Sequence, residues 1–456
     1  MRPARPLRIV FASAEATPYS KVGGLADVAG SLPKALAARG HEVLLITPLH
    51  KPAATETAAA THEIAFQGSV TTVQIVEDEP APGVRAVLVG DEKYFPRDSV
   101  YEQADDLDRY LFFCQSVLEL PKLLGWQPDI LHLNDWHTGP AAYALRNYAW
   151  DDEFYRGVSS IFTIHNLRYR GPDRFLDLLG PAIFYSDVVT TVSPTYAAEI
   201  LTPELGEGLH ELLNLRKDSI YGVLNGIDYD EFDPATDSRI AANFSVDDLS
   251  RRPENKATLQ RQLGLAESPL PVAGMVARLS EQKGIDITLE AAEPLLAARS
   301  LQLVILGTGD KQYEEAATAL AARHPDNASV TIGFDAKLAQ QIYAGSDLFL
   351  MPSRFEPCGL GQMIAMRYGS IPVVRRTGGL ADTVPDVSSG REGLGFVFED
   401  YSAEAMRKAL ERAITHYSGQ VAWGALQRRA MAADHSWSAS AARYEDIYLQ
   451  TADNRA

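Results

Sequence analysis

Arg278 and Lys283 stand five residues apart in ARLSEQKG, directly after the apolar run AGMV. Two cations at the end of a strand can neutralise a pyrophosphate whose negative charge grows as it departs. Most Lys and Arg are ordinary surface charge. This chain, however, has 42 Lys and Arg against 60 Asp and Glu, a formal charge of -18. In so acidic a molecule, two cations gathered at one strand end favour a local anionic ligand. Glu356 lies in SRFEPCGLGQM, after the run LFLM, in a loop bounded by Pro357 and Gly359. A carboxylate there can accept hydrogen bonds from sugar hydroxyls or balance an oxocarbenium-like carbon. The structural alternative is a helix cap or a salt bridge, with Cys358 beside it as packing.

A second group lies in the first half of the chain. Asn134-Asp135-Trp136-His137 follows ILHL, and His165-Asn166 follows IFTI. Polar and aromatic residues at such ends can grip a sugar acceptor by hydrogen bonding and by stacking on Trp136. GGLADV at Gly23 to Val28 is echoed by GGLADTV at Gly378 to Val384, each copy preceded by a basic residue, Lys21 or Arg376. Paired glycines ahead of a helix let amide groups converge on an anion, so each copy reads as a candidate phosphate nest. Asp105, Asp106 and Asp108, in DDLDRYLFF, read as a solvated helix face rather than a metal site. Walker, G-x-S-x-G and zinc-ligand spacings do not occur.

The elements that position these residues follow a repeating pattern. Leu7 to Ala12 reads as a strand, Ala29 to Arg39 as a helix ended by Gly40, and His41 to Thr47 as a strand, which is a βαβ opening. Further strands are expected at Arg85 to Val89, Asp129 to Leu133, Ser160 to Ile164, Val188 to Val192 and Ile220 to Leu224. After a polar stretch the pattern restarts, with strands at Val272 to Val276, Leu301 to Leu306, Val330 to Ile332, Leu348 to Met351 and Ile371 to Val374, and a helix at Asp286 to Ala298. Near-continuous Val, Ile and Leu is what a parallel sheet covered on both faces requires. The expectation is an α/β chain of two Rossmann-like, doubly wound halves joined near residue 245, with ligands at the carboxyl ends of strands in a cleft between the halves.

Bulk properties narrow the function. With 456 residues, two domains are the natural expectation. The acidic balance disfavours nucleic acid and anionic membranes as partners. Met1 to Leu7 is too short and Pro-rich for a signal peptide, and Cys114 and Cys358 sit far apart, which together suggest the cytoplasm. A dinucleotide oxidoreductase is disfavoured because G-x-G-x-x-G does not follow the first strand.

KVGGLADV, LNDWHTGP, FTIHNLRYRG, TTVSPTYAAEI, VLNGIDYDEFDP, ARLSEQKGID, PSRFEPCGL and VRRTGGLADTV occur in the order seen in bacterial glycogen synthases and plant starch synthases. The chain resembles that family from about residue 8 to residue 440. The resemblance implies a GT-B fold and a retaining transfer of glucose from ADP-glucose to the non-reducing end of an α-1,4-glucan, with no metal or cofactor. It places Lys21, Gly23, Gly24, Asp27, Asn225, Arg278, Lys283, Glu356, Cys358, Gly359, Thr377, Gly378 and Gly379 at the donor. Asp135, Trp136, His137, His165, Asn166 and Tyr169 are expected on the acceptor side. Lys21, His165, Arg278, Lys283 and Glu356 are the expected catalytic set. It also implies domains 1–245 and 246–436, with a helix at 437–456 returning to the first domain. Departures from the family are Val22 for a common Thr, Gly361 for a common Thr, Arg168 and Arg170 around Tyr169, and a compact stretch over residues 51 to 75. The alternatives are a related transferase using UDP-glucose or a small acceptor, and a glucan-binding protein with a decayed donor site.

Overall fold

The computed structural model describes residues 5–50, 60–95, 97, 99–149, 151–173 and 175–454. Most of the Met1 to Leu7 segment and of the compact stretch's start lies outside these residues. Two compact units form. The first comprises the residues up to Gly226 together with those from Ser436 onward, and the second is Ile227–His435.

The first unit is built on a nine-stranded sheet. Its strands are β1 (Arg8–Ala12), β2 (Glu42–Pro48), β3 (Ala60–Phe66), β4 (Ser69–Ala81), β5 (Val84–Gly90), β6 (Ile130–Asn134), β7 (Ser159–Ile164), β8 (Val188–Thr191) and β9 (Ile220–Gly222). They run in the order β3-β4-β5-β2-β1-β6-β7-β8-β9. Pairing is parallel from β5 to β9, while β3 and β4 add an antiparallel edge. Those two edge strands escape a reading based on apolar runs because β3 and much of β4 alternate exposed polar residues with single buried ones.

The second unit has six strands: β10 (Val272–Val276), β11 (Gln302–Gly307), β12 (Ala328–Ile332), β13 (Leu348–Met351), β14 (Ile371–Arg375) and β15 (Phe396–Phe398). The order is β12-β11-β10-β13-β14-β15, and every pair is parallel. This is the nucleotide-binding arrangement in which the order reverses beside the first strand, so loops after β10 and β13 flank the switch point. In the first unit β1 and β6 occupy the equivalent place.

The junction falls earlier than residue 245. Residues 227–245 contain no helix or strand but are tied to the second unit through Tyr368 Oη donating to Asp237 (2.6 Å), Arg367 pairing with Asp233 (3.1 Å), and Asn255 Oδ1 accepting the Ala241 and Ala242 amides. Their polarity disguised that attachment.

The helix Trp437–Asp453 packs against the helix Gly24–Ala37 of the first unit. Trp437, Ala441, Tyr444, Tyr448 and Ala452 recur at helical spacing and enter the core with Leu32, Leu36 and Val43. His132 bridges Tyr448 Oη and Thr163 Oγ1, each at 2.6 Å. Burial holds that imidazole at about 3, so it is neutral and links the helix to the sheet without charge. Truncating Tyr448 to Ala would empty a fully buried ring site, at a cost of about 3–5 kcal/mol.

Candidate active site

In the second unit, β10 delivers Arg278 and Lys283, and β13 delivers Glu356. Arg278 is exposed; Lys283 is half-buried and Glu356 is 5% exposed. Lys283 Nζ lies 2.6 Å from Glu356 Oε2, which also accepts from Ser353 Oγ at 2.8 Å. The two loops are stitched together by the Arg354 amide donating to Gln282 O at 2.8 Å. Behind Lys283, Gly284 takes φ +71, and a Cβ there would lie 2.2 Å from Pro352 O. The lysine loop therefore rests directly on the chain leading to Glu356.

The Gly378-Gly379 pair has a different task from the nest expected of it. Gly378 adopts φ +42, and its Cβ would lie 1.9 Å from Glu356 O. The Gly379 amide donates to that same carbonyl at 3.1 Å, so it is engaged by protein. The helix they begin, Gly378–Thr383, is only six residues long. Arg376, expected beside the nest, is drawn away to Glu399 at 2.6 Å. These glycines are what let β14's loop seat the backbone of Glu356. Gln362, missed in the sequence, completes the seat: its Nε2 donates to Cys358 O, Gly359 O and Thr383 Oγ1. Cys358 is buried, Thr377 is buried at the helix start, and Gly359 takes φ +74. Phe334, 86% exposed just beyond β12, also escaped the sequence reading because nothing around it has a recognisable spacing.

In the first unit, GGLADV begins the helix itself: Gly24–Ala37 starts five residues before the expected Ala29. Lys21 Nζ pairs with Asp27 Oδ1 at 2.6 Å on the surface of this turn. The Val22 and Gly23 amides are not open to a phosphate, since both donate to Glu15 Oε2, Gly23 at 3.2 Å. Glu15 is 2% exposed, and burial raises its pKa against the opposing pull of those amides and of Tyr101. Nothing in the sequence marks Glu15 except its distance of seven and eight residues from the turn it caps.

After β6, Asp135 adopts φ +56 and turns its carboxylate back onto the next loop, accepting the His165 amide at 2.8 Å. Burial lifts Asp135 to about 7, opposed by the amides of His165 and Asn166. His165 shares a 2.9 Å hydrogen bond between Nε2 and Asn134 Oδ1, whose own amide nitrogen donates to Ala12 O. That assignment puts the proton on Nε2 and leaves Nδ1 as an acceptor. Burial holds the ring at about 3, so His165 is neutral near pH 7 and can hydrogen-bond but not supply positive charge. Asn166 Oδ1 closes a turn with the Arg168 amide, and Tyr169 is 51% exposed beyond it. Asn225 is buried, and its Oδ1 accepts no hydrogen bond from the described residues.

Two acceptor-side expectations need correction. Trp136 is 5% exposed and packs edge-on against Tyr110, with the His137 ring 4.0 Å away. Neither Trp136 nor His137 offers a free face to a sugar, since both rings pack against Tyr110. The Asp105 to Asp108 segment is not uniformly solvated either. Asp106 is buried against the fully buried Arg109, which also donates to Tyr94 O and Val100 O. Among the described residues no group of three or more His, Cys, Asp or Glu is arranged to hold a metal, and no helix is long and apolar enough to cross a membrane.

Residues 8–215 match the starch synthase catalytic domain, and residues 256–429 match glycosyl transferases group 1. The chain is 44% identical to the glycogen synthase of Moorella thermoacetica, covering 99% of this chain and 98% of that one. It is also 44% identical to that of Geotalea daltonii, covering 97% and 98%. Among solved structures it resembles the catalytic domain of starch synthase IV from Arabidopsis thaliana bound to ADP and acarbose, with TM-score 0.90 and 35% identity over 98% of this chain and 100% of that one. A sucrose-phosphate synthase from Thermosynechococcus elongatus, 20% identical with TM-score 0.65, shares the fold. Two parallel-sheet units of GT-B type, carrying a paired lysine and carboxylate at a nucleotide-binding switch point, thus match these enzymes over nearly their whole length, and the chain belongs to the glycogen and starch synthase family of glycosyltransferases.

Proposed function

We propose that the protein transfers glucose from ADP-glucose to the non-reducing end of an α-1,4-glucan, with retention of configuration, in the cytoplasm and without a metal or cofactor. The observation that carries this is the Lys283–Glu356 pair at the switch point between β10 and β13. In this reaction Lys283 and Arg278 take the diphosphate and stabilise the charge it gains on leaving. Glu356, held by Ser353, accepts from the glucose hydroxyls and balances the developing cation at the anomeric carbon. Phe334, exposed beyond β12 on the same sheet, offers a face on which the nucleobase can stack.

Lys21 is assigned to a donor phosphate, with Asp27 holding it when no anion is bound. His165, neutral and fixed through Asn134, offers its free ring nitrogen to a sugar hydroxyl, while Asp135 sets the backbone of its loop. Asn225 brings a buried oxygen that no described residue satisfies, which suits a hydroxyl of the ligand. No residue of these motifs is an evident nucleophile, so front-face departure of ADP through an ion pair is favoured over a covalent intermediate.

A coupled assay of ADP release, with and without glycogen, tests this. ADP-glucose should support glycogen-dependent release at a rate well above that with UDP-glucose. Glycogen binding with no ADP release would refute it, and a preference for UDP-glucose would reassign the donor.

A further inference from the structure

Glu15 is a buried carboxylate placed where a phosphate would be expected. It leaves β1 in the segment Ser13–Ala16, is anchored by Ser13 Oγ donating to its carbonyl at 2.6 Å, and folds under the turn at residues 21–24. Its Oε2 takes two successive amides, Val22 and Gly23. A Cβ at Gly23 would lie 3.7 Å from Oε1, so the turn lies in contact with the carboxylate. Two adjacent amides converging on one oxygen form an anion nest, and here the anion belongs to the protein.

We propose that Glu15 is a positioning residue: by filling the Val22–Gly23 nest from inside, it fixes the turn that presents Lys21 and keeps the donor's phosphates off those two amides. The inference rests on the glucosyltransferase reading, which assigns Lys21 to the donor. Its chemistry is steric and electrostatic. A diphosphate seated in the same nest would require Glu15 to leave a site that is 2% exposed and to abandon both amides. With Glu15 in place, the diphosphate meets only the outer side of the turn, where Lys21 exchanges Asp27 for the ligand. Two part-buried amides deprived of this acceptor would turn toward water, and the turn carrying Lys21 would lose its fixed position with them.

The titratable and charged groups facing Glu15 set which variant is informative. Tyr101 favours its ionised form, and Asp27 and Asp135 repel that form or are repelled by it. The acceptor function needs an oxygen and not a charge. Glu15→Gln, which keeps an oxygen acceptor, should therefore retain kcat/KM for ADP-glucose within about threefold. Glu15→Ala should lower it about tenfold or more, mostly through KM for ADP-glucose and with KM for glycogen unchanged. Sodium formate, small enough to enter the emptied nest, should restore activity to Glu15→Ala while leaving wild type and Lys21→Ala unaffected.

ADP titrated calorimetrically into the same proteins supplies the opposing outcome. If the amides are in truth the donor's phosphate site, removing Glu15 frees them and Glu15→Ala binds ADP more tightly than wild type, which overturns the proposal. A folded Glu15→Ala with wild-type kinetics, or a Glu15→Gln as impaired as Glu15→Ala, also overturns it. Failure of the underlying reading looks different: wild type itself would then release no ADP from ADP-glucose.

Discussion

In the second unit, charge is held as an ion pair at the rim of a sheet, Lys283 against Glu356, with Arg278 exposed nearby. In the first unit, the loops after β6 and β7 carry groups whose charge has been suppressed: Asp135 raised to about 7, and His165 held at about 3. Both sets lie at carboxyl ends of strands, Asp135 beside the reversal of strand order in its sheet and His165 one strand further out. The contrast teaches that one topological position can serve two kinds of chemistry. Where an ionic diphosphate is to be neutralised, cations stay partly solvated and ready to exchange partners. Where hydroxyls are to be oriented, desolvation favours neutral groups with fixed hydrogen-bond directions.

Substitutions can break this comparison at several levels. A large effect is expected at Gly378→Ala, because φ is +42 and the added carbon would lie 1.9 Å from Glu356 O. Unfolding monitored by calorimetry should show a loss of about 3 kcal/mol, confined to the transition of the second unit if the units melt separately.

A pH-dependent effect is expected at Asp135. Its folded pKa of about 7 lies above the usual 3.8, so the folded chain holds this proton more tightly than the unfolded chain does. The sign follows: wild-type stability from this group is greatest below about pH 4, declines as pH rises toward 7, and is level above that. Asp135→Asn lacks the decline. Its stability relative to wild type should therefore improve, by at most about 4 kcal/mol, between pH 4 and pH 8 in urea titrations. A difference that is flat across that range would show that Asp135 is ionised as readily in the folded state as in the unfolded one.

Tyr169 gives the smallest effect. Its ring is 51% exposed, so Tyr169→Ala should leave stability within about 0.5 kcal/mol. KM for glycogen should rise about twofold to fivefold, the scale of one lost sugar contact.

The parallel strands were legible because covered strands need unbroken apolar runs, and the expected ends of β10 and β13 agree with those observed. The loops bearing Arg278, Lys283 and Glu356 followed from them. The antiparallel edge strands β3 and β4 were not legible, since their outward side chains interrupt the apolar pattern, and β15 is only three residues long. Gly-Gly read as a loop at residue 23, yet burial of Leu25, Ala26, Val28 and Ala29 carries the helix back to Gly24. Trp136 was assigned by residue type, but its packing against Tyr110 depends on a helix far away in sequence. Glu15 and Gln362 act through backbone groups, and backbone partners leave no trace in residue spacing.

The most direct test of the ionic half of this comparison is the turnover number of Lys283→Gln, measured as ADP release from ADP-glucose at saturating glycogen. Loss of a cation that stabilises the departing diphosphate should lower kcat about 100-fold. A turnover number within about twofold of wild type would contradict the role given to Lys283.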